Sequence, residues 1–208
     1  MIKKVNNVVD RVGMKELKGP VFYNANVGIR FEVGRGKIYK VNTKKVRVGY
    51  IEGAYKRAKR IYEKLAEGMD VVVIDAYSDR VGENINIYEY CKKLGISQPS
   101  QVEKILDGEE NDWYTLRMYW DIKKDNLNVN KILREIVKAD LGGHYELVSS
   151  VYFVDTEKAI VYHMYDDRGL DVVAEDKESI YEVYKEFNSW ILDYDRKTIE
   201  EIFEKSTL

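Results

Sequence analysis

A chain of 208 residues, 45% hydrophobic and 34% charged, is long enough to bury an apolar core without covalent staples and too apolar for disorder. Its single cysteine, Cys91, excludes intramolecular disulfides and thiolate zinc clusters, and no run approaches the roughly 18 apolar residues of a membrane span. The net charge of −2 conceals a gradient, with net +11 over residues 1–67, −4 over 68–140 and −9 over 141–208.

The first thirteen residues include Lys3, Lys4, Asp10 and Arg11 and no apolar signal-peptide core, so a reducing, cytoplasmic location is expected. Ile29, Phe31 and Val33 alternate with Arg30 and Glu32, which predicts a strand ended by Gly34-Arg35-Gly36. A basic loop or exposed hairpin follows, with Lys37, Lys40, Lys44, Lys45 and Arg47. Ile51, Ala54, Tyr55, Ala58, Ile61, Tyr62 and Leu65 then recur at helical spacing opposite Lys56, Arg57, Lys59, Arg60 and Lys64, and Gly68 is a candidate C-terminal cap.

The β-branched run Asp70 to Tyr77 predicts a central strand covered on both faces. A short helix is expected over Asn84–Leu94. Gly95 to Asp112, with Pro99 and Gly108-Glu109-Glu110-Asn111-Asp112, reads as the least regular stretch, where a subdomain boundary would fall. Tyr114 to Trp120 alternates as a strand, and Val129, Ile132, Leu133, Ile136, Val137 and Leu141 stripe a helix closed by Gly142-Gly143. Leu147–Val154, Ala159–Tyr165 and Leu170–Ala174, joined by short polar turns, predict an antiparallel meander. Two helices finish the chain, the first after Asp176 as N-cap and the second after Asp195. The expectation is one α+β domain over 1–208: an antiparallel or mixed sheet, a C-terminal three-strand meander, and helices packed on the sheet.

No Gly-x-Ser-x-Gly elbow, His-Glu-x-x-His helix, EF-hand loop, P-loop or dinucleotide fingerprint is present, so no catalytic residue, metal ligand or cofactor is assigned. Gly34-Arg35-Gly36 lacks the further residues of a phosphate cradle and reads as a turn. His163 with Asp166, Asp167 and Asp171 could bring imidazole and oxygen ligands to a divalent metal for assisted hydrolysis. The simpler reading is a hairpin turn in which Asp166 and Asp167 accept backbone bonds, Gly169 takes a positive φ and Arg168 pairs with an acid. His144 reads as a favourable cation at a helix end, and Cys91 as a small buried hydrophobe.

Two surfaces remain. The basic front, Lys37, Lys40, Lys44, Lys45 and Arg47, interleaved with tyrosines, suits phosphate contact and base stacking. The acidic last third carries seven of the 17 tyrosines in the chain, a composition suited to docking on a basic protein. Its segments Tyr165-Asp166-Asp167-Arg168-Gly169-Leu170-Asp171-Val172-Val173-Ala174 and Trp190-Ile191-Leu192-Asp193-Tyr194-Asp195-Arg196 resemble the bacterial family called domain of unknown function 3885. The likeness is strongest over residues 145–205 and brings no activity with it. By analogy with small acidic bacterial immunity proteins, the leading expectation is a non-enzymatic protein-binding module that neutralises a basic toxin such as a nuclease. Asp166, Asp167, Asp171, Asp193 and Asp195 would supply charge, Arg168 would lie among them, and Tyr165, Trp190 and Tyr194 would be aromatic anchors. Nucleic-acid binding by the basic front is the alternative, and a membrane partner is not expected.

Overall fold

A computed structural model describes residues 1–77, 84–107, 113–139, 141 and 149–204. Its strands are β1 (Val27–Glu32), β2 (Val71–Tyr77), β3 (Gln101–Asp107), β4 (Trp113–Asp121), β5 (Ser149–Asp155), β6 (Ile160–Met164) and β7 (Gly169–Ala174). They form one sheet in the order β1-β7-β6-β5-β2-β4-β3, with every neighbouring pair antiparallel. The α+β class and the β5–β6–β7 meander are therefore present, and the sheet is not mixed. Among the described residues no helix is long and apolar enough to cross a membrane.

β2 lies between β5 and β4, which explains its unbroken apolar run. Val72 and Ile74 enter the larger core, while Val71 and Val73 enter the smaller core on the opposite face. Over the first face lie α3 (Val48–Leu65), α4 (Ile87–Leu94), α5 (Val129–Ala139), α6 (Tyr181–Glu186) and α7 (Arg196–Glu204), supplying Ala58, Ile61, Cys91, Leu133, Ile136, Val183 and Phe203. The second face is closed by α1 (Ile2–Arg11), by residues 12–20 and by the single turn α2 (Val21–Asn24). Val5, Val8, Val9 and Val12 from this segment meet Val73, Tyr152, Val154, Val161 and Val173.

Several local expectations change. Gly95–Asp112 is not irregular throughout, because Gln101–Asp107 pairs along β4 as an edge strand. Residues 108–112, Gly142-Gly143, His144 and Tyr145 lie outside the described residues. α4 starts three residues later than Asn84, where the Asn86 side chain accepts from the Glu89 amide at 3.2 Å, and Gly95 ends it at φ +60. α3 is capped by Ala66 rather than Gly68, whose amide donates to the Leu65 carbonyl at 3.2 Å. The basic segment 37–47 is a small hairpin held by an isolated Tyr39–Val46 bridge and by the Arg47 amide on the Ile38 carbonyl at 2.8 Å.

Candidate functional site

The fold draws most of the acidic C-terminal set inward. Asp171, fully buried on β7, stands opposite Arg30 on β1 and receives its guanidinium at 2.7 and 3.1 Å, together with the Phe22 amide at 3.1 Å. Asp195 is buried and accepts the Tyr23 hydroxyl at 3.1 Å, with Arg30 at 4.0 Å. Asp167 is buried against the Tyr50 hydroxyl, and burial raises its carboxyl above the ordinary range. Asp166 closes its own turn, accepting the amides of Arg168 and Gly169 at 2.7 and 2.9 Å and the Arg168 guanidinium at 2.8 Å.

Gly169 does not take a positive φ. It is bare because a side chain there would collide with the Tyr165 hydroxyl. Only Asp193 among the five carboxylates is exposed. Tyr194 is 86% exposed and Tyr165 about at the surface at 37%, whereas Trp190 is half-buried and stacks on Phe187 at 5.0 Å beneath Arg60. Tyr165 and the exposed Tyr23 flank the Arg30 guanidinium at 5.2 and 4.5 Å. Tyr165 and Tyr194 are the aromatic part of the predicted surface that stays accessible, and Tyr23 is an exposed ring beside it that the sequence reading did not include.

The metal reading fails on geometry. His163 sits on β6 opposite Asp171 and under Gly19, while Asp166 folds onto its turn and Asp167 turns to Tyr50. Among the described residues no three His, Cys, Asp or Glu side chains converge to hold an ion. Burial lowers the His163 pKa, so the ring is neutral, and its Nδ1–H donates to the Val151 carbonyl at 3.0 Å. Cys91 is buried in the larger core, and burial pushes its thiol up to about 11.

His163 belongs to a row that sequence reading did not assemble. Across the second face run Arg30, Asp171, His163 and Tyr152, the last stacked on His163 at 4.4 Å, and then Asp75 with Arg117 in a bidentate pair at 2.6 and 2.7 Å. The row lies beneath the N-terminal segment, since Arg117 also donates to the Leu17 carbonyl at 2.6 Å. The partners are more than forty residues apart in most cases, so only alternation along each strand could have hinted at it.

The basic front behaves oppositely to Asp166, Asp167, Asp171 and Asp195. Lys37, Lys40, Lys44, Lys45 and Arg47 are all exposed, and among the described residues none pairs with a carboxylate. No acid occurs between Glu32 and Glu52, so nothing within the segment neutralises them. Tyr39, half exposed, and Val41, largely exposed, share the hairpin. At its root, Arg35 reaches the Ser189 carbonyl at 2.5 Å and Glu32 at 3.4 Å, and Arg57 on α3 donates through Nε to the Val33 carbonyl at 2.5 Å. Gly34 must be bare here, because a side chain would meet the Tyr50 hydroxyl and the Asp167 carbonyl.

Residues 7–195 match the family described as Domain of unknown function (DUF3885). The Uncharacterized protein YnaE of Bacillus subtilis (strain 168) is 23% identical over 213 residues, which cover 91% of this chain and 97% of that protein. No solved structure matches.

Proposed function

The chain belongs to the family described as Domain of unknown function (DUF3885), and for it we propose a binding role in which the hairpin of residues 37–47 takes a nucleic acid. The observation that carries this reading is the set of five exposed cations, none of which pairs with a carboxylate among the described residues, whereas four of the five aspartates Asp166, Asp167, Asp171, Asp193 and Asp195 are buried. Unpaired surface cations gain by displacing the counterions of a polyphosphate, and the half-exposed Tyr39 adds a ring on which a base can stack.

Five such contacts to a single strand give a slope of log affinity against log salt of about −3.5. Fluorescence anisotropy with a labelled single-stranded oligonucleotide, measured across a salt series, tests this, as does the variant Lys40→Glu/Lys44→Glu/Lys45→Glu. The variant is expected to lose most of the affinity and to flatten the slope. No binding at low salt, or a variant that binds like the parent, would sink the reading.

A second reading, the protein-binding module and in its sharpest form an immunity protein for a basic toxin domain, keeps one supporting observation. Tyr23 and Tyr165 are held around Arg30, which itself is anchored on Asp171, so two exposed rings are presented with little conformational freedom to lose. Asp193 and Tyr194 extend that patch. Co-purification with the product of an adjacent gene, lost in Tyr165→Ala/Tyr194→Ala and retained in the lysine variant, would favour this reading over the first.

A further inference from the structure

We propose that the hairpin of residues 37–47 selects single-stranded over double-stranded nucleic acid, because its paired lysines and its only aromatic ring, Tyr39, stand on opposite faces of the ribbon. The inference rests on the nucleic-acid reading and narrows it to one class of partner.

The register fixes the faces. The bridge between Tyr39 and Val46 is flanked by the Lys40 amide on the Lys45 carbonyl at 2.9 Å and by the Arg47 amide on the Ile38 carbonyl at 2.8 Å. Tyr39 and Val46 are therefore the non-hydrogen-bonded pair of this short ladder, and Lys40 with Lys45 and Ile38 with Arg47 are the hydrogen-bonded pairs on either side of it. Side chains alternate along each strand, so Lys40, Lys45 and Arg47 share one face and Tyr39 shares the other with Val46.

Both faces are open. No side chain of residues 37–47 belongs to either apolar core, Lys40, Lys45 and Arg47 are exposed, and Tyr39 is half exposed. Among the described residues Tyr39 makes no ring contact and no side-chain hydrogen bond, so its aromatic face is not used by the fold. On the other face Lys40 stands directly across from Lys45, an arrangement of like charges that destabilises a two-stranded ribbon, and no acid between Glu32 and Glu52 offsets it. A phosphate backbone laid along that face does offset it.

Only an unpaired strand engages both faces at once. In a duplex the flat faces of the bases are covered by their neighbours in the stack, and a ribbon laid in a groove turns one face to the base edges and the other to solvent, so either the ring or the cations stand idle. A single strand has free torsions and uncovered bases. Its backbone follows Lys40, Lys45 and Arg47 while one base turns over the edge of the ribbon and stacks on Tyr39, and because every base has such a face the contact tolerates any sequence. Electrostatics alone would give the opposite order, since the duplex carries the denser charge. A preference for the single strand therefore reports the ring.

Fluorescence anisotropy at low salt compares a labelled, unstructured single strand with the same strand annealed to its complement, on the full chain and on Tyr39→Ala and Tyr39→Trp. The parent is expected to bind the single strand about fivefold more tightly than the duplex or better. Tyr39→Ala should lose about tenfold on the single strand, keep the duplex affinity and the salt slope, and so reverse the preference, while Tyr39→Trp restores it. Unchanged duplex affinity separates loss of the ring from collapse of the hairpin, which would take the Lys40 and Lys45 face with it. A duplex bound as tightly as the single strand, a single-strand affinity indifferent to Tyr39→Ala, or equal losses on both substrates overturns the inference and leaves the hairpin as a phosphate-contacting surface. No binding of either substrate removes the nucleic-acid reading itself and the inference with it.

Discussion

Asp171 illustrates how little a residue type says about where its charge is spent. It is an aspartate in an acidic stretch, yet its side chain has no exposure and its three hydrogen bonds come from Arg30 and the Phe22 amide. Replacing it with asparagine leaves Arg30 as a nearly buried cation without a full counter-charge, so thermal or urea denaturation should register a loss of about 3–5 kcal/mol. The exposed pair Arg11–Glu175 at 2.5 Å gives the contrast, since removing Glu175 should change stability by no more than about 1 kcal/mol. Equal effects from the two substitutions would mean that Asp171 is not the buried anchor described here.

At the scale of elements, the two edges of the sheet are treated differently. β1 is covered by the segment after α6, with an isolated bridge between Phe31 and Ile191 and the Leu192 amide on the Arg30 carbonyl at 2.9 Å. β3 has β4 on one side only, and it shows Val102 and Leu106, 40% and 54% exposed, with Lys104 between them on the same face. Lys104 interrupts that apolar row and lies 4.1 Å above the Tyr114 ring, in the manner of a charge that keeps an edge from pairing with another chain. The variant Lys104→Val should therefore associate with rising concentration in light scattering, and a monomer at every concentration would refute the role given to this lysine.

The same two regions show what was legible. Long periodic elements such as α3 and α5, and the turn-bounded meander, declare themselves because one face of each is apolar. β3 did not, since an edge strand shares its alternation with exposed charges and is flanked in sequence by Pro99 and the acidic stretch Gly108-Glu109-Glu110-Asn111-Asp112. α1 was also passed over, although Val5, Val8, Val9 and Val12 keep helical spacing, because the helix has no side-chain cap at its start. The candidate site was half visible: the hairpin cations could be named in advance. That Asp167, Asp171 and Asp195 turn inward could not, because their partners Tyr50, Arg30 and Tyr23 lie more than a hundred residues away.

Across the whole molecule, part of the charge gradient along the chain is folded back on itself. Arg30 meets Asp171, Arg11 meets Glu175, and Lys64 meets Glu186 at 3.0 Å, so the basic first third and the acidic last third neutralise one another at these contacts. Among the described residues the hairpin cations take no part in this cancellation. The topology behind it brings the two ends of the chain together: β1 pairs with β7 from Val27↔Ala174 to Glu32↔Gly169, and α1 covers strands β5, β6 and β7. No cut between early and late residues leaves two faces closed, because the second face is apolar and exposed without its first twenty residues. The chain should then unfold in one cooperative transition, with far-UV circular dichroism and the emission of its tryptophans, among them the fully buried Trp120, sharing a urea midpoint. Val8→Ala, which removes two methyl-sized groups from a fully buried position on α1, should lower stability by about 2 kcal/mol and move both midpoints together. If the helical signal were lost at lower urea while tryptophan emission stayed native, α1 would be an appendage and the second core would not be part of the cooperative unit.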